Sequence, residues 1–532
     1  MANAKFRSIS VERFKSHRDK ATMPLGGLTV LIGKNNSGKS SIVQALLLLK
    51  QTLEYPKLDV PLHLDGMVEA LSLRELTHGW PSKDQSVAGP KFEIRWASEV
   101  CTRTAVERIG AGGVGVMSSR PETPWLADFE KSSVFKTETE IALEYGEEDG
   151  RIVLRRIRLH SYVEGSNRPR LSVDFSPSES GSYSCIWNGA LAKSIDVGMD
   201  HFLPYLSINK RDIGPRDRQR AWVNAFEAVF VQPLDDLRQL IRGFNYLSSA
   251  RALPPAIYRL SSVAPDGVGV SGESAAQLLH AHRDKLVAFN SPDSLSSGGL
   301  PEVSWGPLQS AVSQVLSELG IESPLSIQEI PDIGFRLLFG QANLQHVGRG
   351  LTYLLPIVEL GLVSDPLLFN NEAATVAAYE AANYVGCAFE EPEAHLHPKI
   401  QSRLAEWFVA LALAKRQIIV ETHSDHLVRK LRSLVAKASN GEAFETWLSK
   451  EVAIVQVEQA NGVSSVSFGR LQRSGALESW PADFMDQAIV AEEEIYIASL
   501  GKNALVGQGG ARVSHMDGDE PTDVDGFHES DN

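Results

Sequence analysis

The chain has 532 residues, 43% hydrophobic and 22% charged, with a net charge of −14. That composition is globular, and the length predicts about two to four lobes rather than one core. The acidic balance disfavours the whole surface as a nucleic-acid platform, and wholly apolar runs of about eight residues are too short to cross a bilayer. Cys101, Cys185 and Cys387 have neither zinc-module nor disulfide-framework spacing and fit a reducing cytoplasm.

The N-terminus lacks an apolar signal core and reads at once as a strand, Phe6 to Val11, followed by the basic turn Phe14-Lys15-Ser16-His17-Arg18 and a second strand, Leu28 to Ile32. That strand runs into Gly33-Lys34-Asn35-Asn36-Ser37-Gly38-Lys39-Ser40-Ser41, and a helix follows over about Ser40 to Leu53. Strand, glycine-bracketed loop and helix together make a phosphate-binding loop. Glycines let backbone N–H groups turn inward around a polyphosphate, and the helix N-terminus adds donors and the positive end of its dipole. The predicted nucleotide contacts are Gly33, Asn35, Asn36, Ser37, Gly38, Lys39, Ser40 and Ser41. Lys39 supplies the charge for the β- and γ-phosphates, and the Ser40 hydroxyl is a ligand for Mg²⁺.

A loop-rich stretch, Leu62 to Trp80, leads into alternating strand patterns at Lys91–Trp96, Glu138–Tyr145 and Arg151–Leu154. A long helical pattern spans about Gln219 to Leu247, and residues 261–305 are rich in Ser, Gly and Pro. Pro307 to Leu319 reads as an amphipathic helix stopped by Gly320. Short apolar runs then return, Tyr384–Phe389 and Gln417–Val420, joined by a helix over about Pro398 to Ala414, the pattern of buried parallel strands. Glu451 to Val457 is a further strand. Beyond the glycines 507, 509 and 510, seven acids with no Lys or Arg among them read as a disordered tail.

Two of these strand ends carry chemistry. Phe389-Glu390-Glu391-Pro392-Glu393 places adjacent carboxylates after an apolar strand, where phosphoryl transfer from a Mg-nucleotide needs a metal-side acid and a water activator. Glu390 is the candidate metal-side group and Glu391 the activator, redirected by the turn. Ile419-Val420-Glu421-Thr422-His423-Ser424 repeats the arrangement, with His423 as donor to the γ-phosphate or holder of the attacking water. His395 and His397 have no further ligands at metal-site spacing and read as part of a turn.

The phosphate loop, Glu-Glu-Pro-Glu-Ala-His-Leu-His-Pro (390–398) and Glu-Thr-His-Ser (421–424) resemble the ABC-type ATPases of the RecF/SMC/OLD (overcoming lysogenization defect) group. The opening Ile9-Ser10-Val11-Glu12-Arg13-Phe14-Lys15-Ser16 fits the same group. Asn245-Tyr246-Leu247 with Arg251, Val347–Leu351 leading to Leu355-Pro356-Ile357, and Ser479–Phe484 are similar to a prokaryotic branch of stand-alone members. The resemblance covers roughly residues 5–490. It implies an α/β P-loop NTPase of ABC type, a head with a β-rich lobe and an inserted helical lobe. The intervals expected are 1–83 and 341–440 for the head, 84–205 a β-rich insertion, 206–340 a helical lobe, 441–500 a C-terminal α/β region and 501–532 the tail. It also implies two heads closing on two ATP molecules, each ATP meeting a signature segment of the other subunit. Gly348-Arg349-Gly350 ahead of a helix is the best signature candidate, with Gly350 as a trans nucleotide contact and Arg349 either a trans arginine finger or a surface arginine. Gln44, inside the first helix, is read as structural.

OLD-type nucleases carry a Toprim domain after the ATPase. Here the late Asp-x-Asp pairs, Asp517/Asp519 and Asp523/Asp525, fall in the acidic tail, so no built-in nuclease is expected. The expected protein is a cytoplasmic ATPase using ATP and Mg²⁺, working as a homodimer or larger oligomer. Its expected partners are a separate effector, a nuclease or toxin, and DNA, in antiviral defence or DNA repair, with no membrane. Two basic clusters offer phosphate contacts: Arg151, Arg155, Arg156 and Arg158, and Lys210, Arg211, Arg216, Arg218 and Arg220. The alternative is an ATPase scaffold that sequesters and releases an effector without touching DNA.

Overall fold

In the computed structural model, the residues described are 3–79, 88–101, 134–178, 183–187, 190–192, 196–207, 226–260, 263–297, 300–368, 375–438, 442–469, 471–477 and 493–498. Strands β1 (Lys5–Glu12), β2 (Ala21–Pro24) and β3 (Leu28–Ile32) precede helix α1 (Lys39–Glu54) and a single turn, α2 (Leu73–Leu76). A run of strands follows: β4 (Lys91–Cys101), β5 (Val134–Glu148), β6 (Arg151–Val163), β7 (Leu171–Pro177), β8 (Tyr183–Trp187) and β9 (Ala190–Ala192), then the hairpin β10 (Asp196–Asp200) and β11 (Leu203–Ser207). Next come α3 (Gln232–Arg242), β12 (Asn245–Leu247), β13 (Tyr258–Arg259), α4 (Ala275–His282), β14 (Leu286–Phe289), β15 (Ser304–Pro307) and α5 (Leu308–Glu318). After β16 (Leu325–Ile330), β17 (Gly334–Phe339) and β18 (Ala342–Asn343) lie α6 (Arg349–Val363), α7 (Val376–Ala381), β19 (Val385–Glu390), α8 (Pro398–Leu413) and β20 (Arg416–Glu421). The last described elements of this part are α9 (Asp425–Lys437), α10 (Ala443–Glu451), β21 (Val452–Ala460) and β22 (Val463–Gly469).

The six-stranded sheet that positions the site runs β12-β19-β20-β3-β21-β22, parallel except for β22. Every residue of β3 and β20 is buried, as a parallel sheet covered on both faces requires. An eight-stranded antiparallel sheet, β2-β1-β4-β5-β6-β7-β8-β9, faces it. Helix α1 is leucine-rich on all sides because it lies in the core between them. One apolar cluster accordingly joins Phe6, Leu46, Leu49, Phe92, Ile141, Ala388 and Ile419. Gln417 on β20 ties the sheets polar group to polar group, accepting from Phe6 N at 2.7 Å and donating to Phe6 O at 2.9 Å.

Met1–Trp480 form one compact unit. The strands of 84–205 continue the sheet begun by β1 and β2, so that interval extends the N-terminal sheet rather than standing as an insertion beside it. The interval 206–340, expected to be helical, mixes helices with strands among its described residues, and the helical pattern expected to reach Leu247 ends at Arg242, where Asn245–Leu247 become β12. Strands β21 and β22 of the expected C-terminal region complete the central sheet beside β3. The second unit is Pro481–Asn532, in which residues 493–498 are helical. The acidic tail, the cluster Lys210–Arg220, Ser479–Phe484 and the Cys101 side chain lie outside the described residues. No described helix is long and apolar enough to cross a membrane.

Candidate functional site

The site begins where β3 ends. Gly33 has φ 152°, and a Cβ there would stand 2.2 Å from Val457 O; Gly38, with φ 95°, leads into α1, and a Cβ there would stand 2.5 Å from Ser16 Oγ. Glycine is therefore required at both positions, by conformation and by contact. The loop is braced from two distant segments. Ser464, at the start of β22, donates to Ser37 O at 2.6 Å, its hydroxyl lies 2.7 Å from Ser16 Oγ, and His17 Nε2 lies 3.0 Å from Gly38 O. Asn35 and Asn36 are exposed at the tip, Asn36 with φ 61°, whereas Ser37 and Ser41 are buried.

Lys39 is 3% exposed. Its ammonium donates to Gly33 O at 3.1 Å, to Lys34 O at 3.0 Å and to His423 Nε2 at 3.2 Å, and lies 3.8 Å from Glu421 Oε1. Burial lowers its pKa, against the carboxylates of Glu421, Glu391 and Glu393, which raise it. Burial and the neighbouring Lys39 likewise lower the pKa of His423, favouring the neutral ring with Nε2 as acceptor.

Parallel pairing sets Glu390 of β19 opposite Glu421 of β20, and same-register neighbours point to the same face. Ser40 Oγ donates to Glu421 Oε1 at 3.0 Å. Glu390 is instead held from the other side, by the Tyr246 hydroxyl, the Ser249 N–H and the charge of Arg251. Burial raises both carboxyls, Glu421 to about 7, with Glu390 adding to the rise. Glu391 leaves the strand with φ 42°, a conformation rare outside glycine, as its N–H donates to Glu421 O at 2.8 Å. Glu393 accepts from His423 N at 2.6 Å. Arg251, 8% exposed, donates from Nη2 to Glu390 O at 3.1 Å, and burial pulls its pKa down to about 10.

Lys39, Ser40, Glu390, Glu391 and His423, five residues predicted from separated motifs, thus converge at one end of the sheet. Gly350 is placed otherwise within the chain: it sits in the first turn of α6, where a Cβ would stand 2.9 Å from His395 O, and Tyr353 packs edge-on against the His395 ring at 5.0 Å. His395, with φ 61°, lies in the turn after β19, and His397 caps α8 by accepting from Lys399 N. Gln44 accepts from Lys15 Nζ. In the Arg151–Arg158 cluster, Arg156 and Arg158 share Asp174 at 3.1 Å and Arg155 lies 3.8 Å from Glu148, so two carboxylates face four arginines.

Sequence reasoning missed Glu421, whose signal was available: an acid closing an apolar strand, as Glu390 does. It named Arg251, without a role.

Residues 5–183 and 367–428 match the AAA ATPase domain family. The match to the AAA ATPase domain takes in the phosphate loop, Glu390–Glu393 and His423, and stops short of Arg251, Gly350 and β21. With the phosphate loop at one end of a parallel sheet and the acids of β19 and β20 beside it, the fold is that of a P-loop NTPase. Solved SMC heads align along most of the chain. One, bound to the C-winged helix domain of ScpA, is 12% identical, with 88% of this chain and 98% of that chain covered and a TM-score of 0.35. The SMC head domain from Thermotoga maritima is 10% identical over 87% and 98%, with a TM-score of 0.31. A Pyrococcus furiosus Smc head with an extended coiled coil, bound to the C-terminal domain of ScpA, is 11% identical over 93% and 100%, at 0.33. No curated protein matches the chain.

Proposed function

We propose that the protein is an ATP-hydrolysing switch of the ABC/SMC-like type, which pairs two copies around ATP and transmits that state to a separate effector in DNA repair or antiviral defence. What supports this reading is the convergence of Lys39, Ser40, Glu391 and His423, with Lys39 Nζ 3.2 Å from His423 Nε2. Gly33, Asn35, Asn36, Ser37, Gly38 and Ser41 line the phosphates with backbone and hydroxyl donors, Lys39 balances their charge, and neutral His423 orients the terminal phosphate. Glu391 takes the proton of the attacking water as the water oxygen bonds to the γ-phosphorus and the bond to the bridging oxygen breaks. Buried carboxylate oxygens of Glu390 and Glu421 without hydrogen-bond partners fit a divalent cation at Ser40. Ser40 and Glu390 would hold Mg²⁺, which supplies charge neutralisation for the phosphates.

ATP shared between two copies favours their closure, and hydrolysis removes the shared ligand. Gly350 then acts in trans from the N-terminus of α6. In a second reading the partner is a protein effector and DNA is not bound; the sharing of Asp174 by Arg156 and Arg158 ties up those two side chains.

The test is the nucleotide-dependent mass of the wild type beside Glu391→Gln and Lys39→Ala. The expected result is an ATP-trapped dimer or larger assembly for Glu391→Gln, with hydrolysis reduced about 100-fold or more, and no assembly for Lys39→Ala. Unchanged mass together with undiminished hydrolysis in Glu391→Gln overturns the proposal.

A further inference from the structure

Glu421 is 7% exposed, and its Oε2 has no hydrogen-bond partner. Its other oxygen accepts from Ser40, the hydroxyl at the first turn of α1. Across the strand pair, Glu390 also has a buried oxygen, Oε1, without a partner. Two carboxylates at one register, one half-buried and one buried, on parallel strands about 4.8 Å apart, repel when both are ionised, and a cation between or beside them relieves that. Of the near cations, Lys39 directs hydrogen bonds to Gly33 O, Lys34 O and His423 Nε2 and stands 3.8 Å from Glu421, and Arg251 gives its Nη2 to Glu390 O. No group of three or more His, Cys, Asp or Glu among the described residues is arranged to hold a metal on its own. A cation here must therefore complete its shell with a hydroxyl, water and phosphate oxygens, the ligand mixture Mg²⁺ prefers.

We propose that Glu421 is a direct ligand of the nucleotide's divalent cation, joining Ser40 and Glu390 from the neighbouring strand. This rests on the nucleotide reading above. Glu390 and Glu421 would hold the cation from adjacent strands, so β19 and β20 would both respond to the nucleotide. Glu421 would also connect the metal directly to the His423 turn, two residues along.

The experiment is Mn²⁺ titration of the full chain with a non-hydrolysable ATP analogue, followed by electron paramagnetic resonance, with analogue affinity also measured in EDTA. Glu421→Gln is expected to weaken Mn²⁺ retention about tenfold or more while leaving analogue affinity in EDTA within about twofold. Glu421→Asp, which keeps the charge on a shorter stem, is expected to fall between and serves if the Gln variant does not fold. Mn²⁺ affinity unchanged in Glu421→Gln and Glu421→Asp but lost in Glu390→Gln overturns the assignment and leaves Glu421 as an anchor for Ser40. Wild type that binds the analogue without retaining Mn²⁺ also overturns it. Wild type that does not bind the analogue at all overturns the nucleotide reading first.

Discussion

Arg251 shows how much one side chain can hold. Its Nη2 donates to Glu390 O, while Nε and Nη1 are buried without partners, so a nearly naked guanidinium stands behind the acids of β19. Its positive charge acts on Glu390, Tyr246, Tyr353 and Glu391. Arg251→Ala is expected to lower ATP turnover and to cost about 2–4 kcal/mol of stability by unpairing buried groups. Arg251→Lys should restore much of the stability but less of the turnover, because an ammonium lacks the planar fork. Turnover and denaturation midpoints of both variants check this; turnover in the Lys variant equal to wild type would show that only charge matters. At this scale the sequence was most informative where chemistry demands contiguous residues, as in Gly33–Ser41. Arg251 and Glu421 act through neighbours on other strands, which no local pattern displays.

Helix α6 is the element in which burial and charge conflict. Glu359 is fully buried in it, with both carboxylate oxygens unpartnered, and burial pushes its pKa from 4.5 up to about 8. The unfolded chain therefore ionises Glu359 above pH 4.5, while the folded chain keeps its proton until about 8. The group's stabilising effect is full below 4.5 and is lost across that window as pH rises, about 3 kcal/mol of it by pH 7. Glu359→Gln removes the dependence, so its stability relative to wild type should climb between pH 5 and pH 7.5. Denaturation midpoints at the two pH values measure it, and a constant gap would refute the burial argument. Element boundaries were readable where the run was long and periodic, as in α1, α5, α8 and the apolar cores of β19 and β20. Strand β12 was hidden because three residues show no period, and only parallel pairing with β19 makes Asn245–Leu247 a strand.

At the scale of the whole molecule, the α/β head was legible and the partition around it was not. Strands β4–β9 look like a separate lobe in sequence, but pairing with β1 makes them one sheet with the N-terminus. Strand β21 looks like the start of another region, but its pairing with β3 makes it part of the nucleotide sheet. These joins are long-range: strand pairing decides them against a loop-closure cost, and no local propensity displays them. Paired replacement of Ser16 and Ser464 by Ala should weaken ATP binding several-fold with little change in secondary structure, measured by calorimetry and circular dichroism; unchanged binding would show that the brace is ornamental.

That brace has a consequence for synthesis. Ser464 and Ser16 are 448 positions apart, so a nascent chain displays the whole glycine-bracketed loop long before its far support has left the ribosome. Strand β3 must wait similarly, since the strands on either side of it, β20 and β21, are both translated late. Ligand capture by this chain is therefore a late event in its own production, and a prematurely released fragment would carry the motif without the grip.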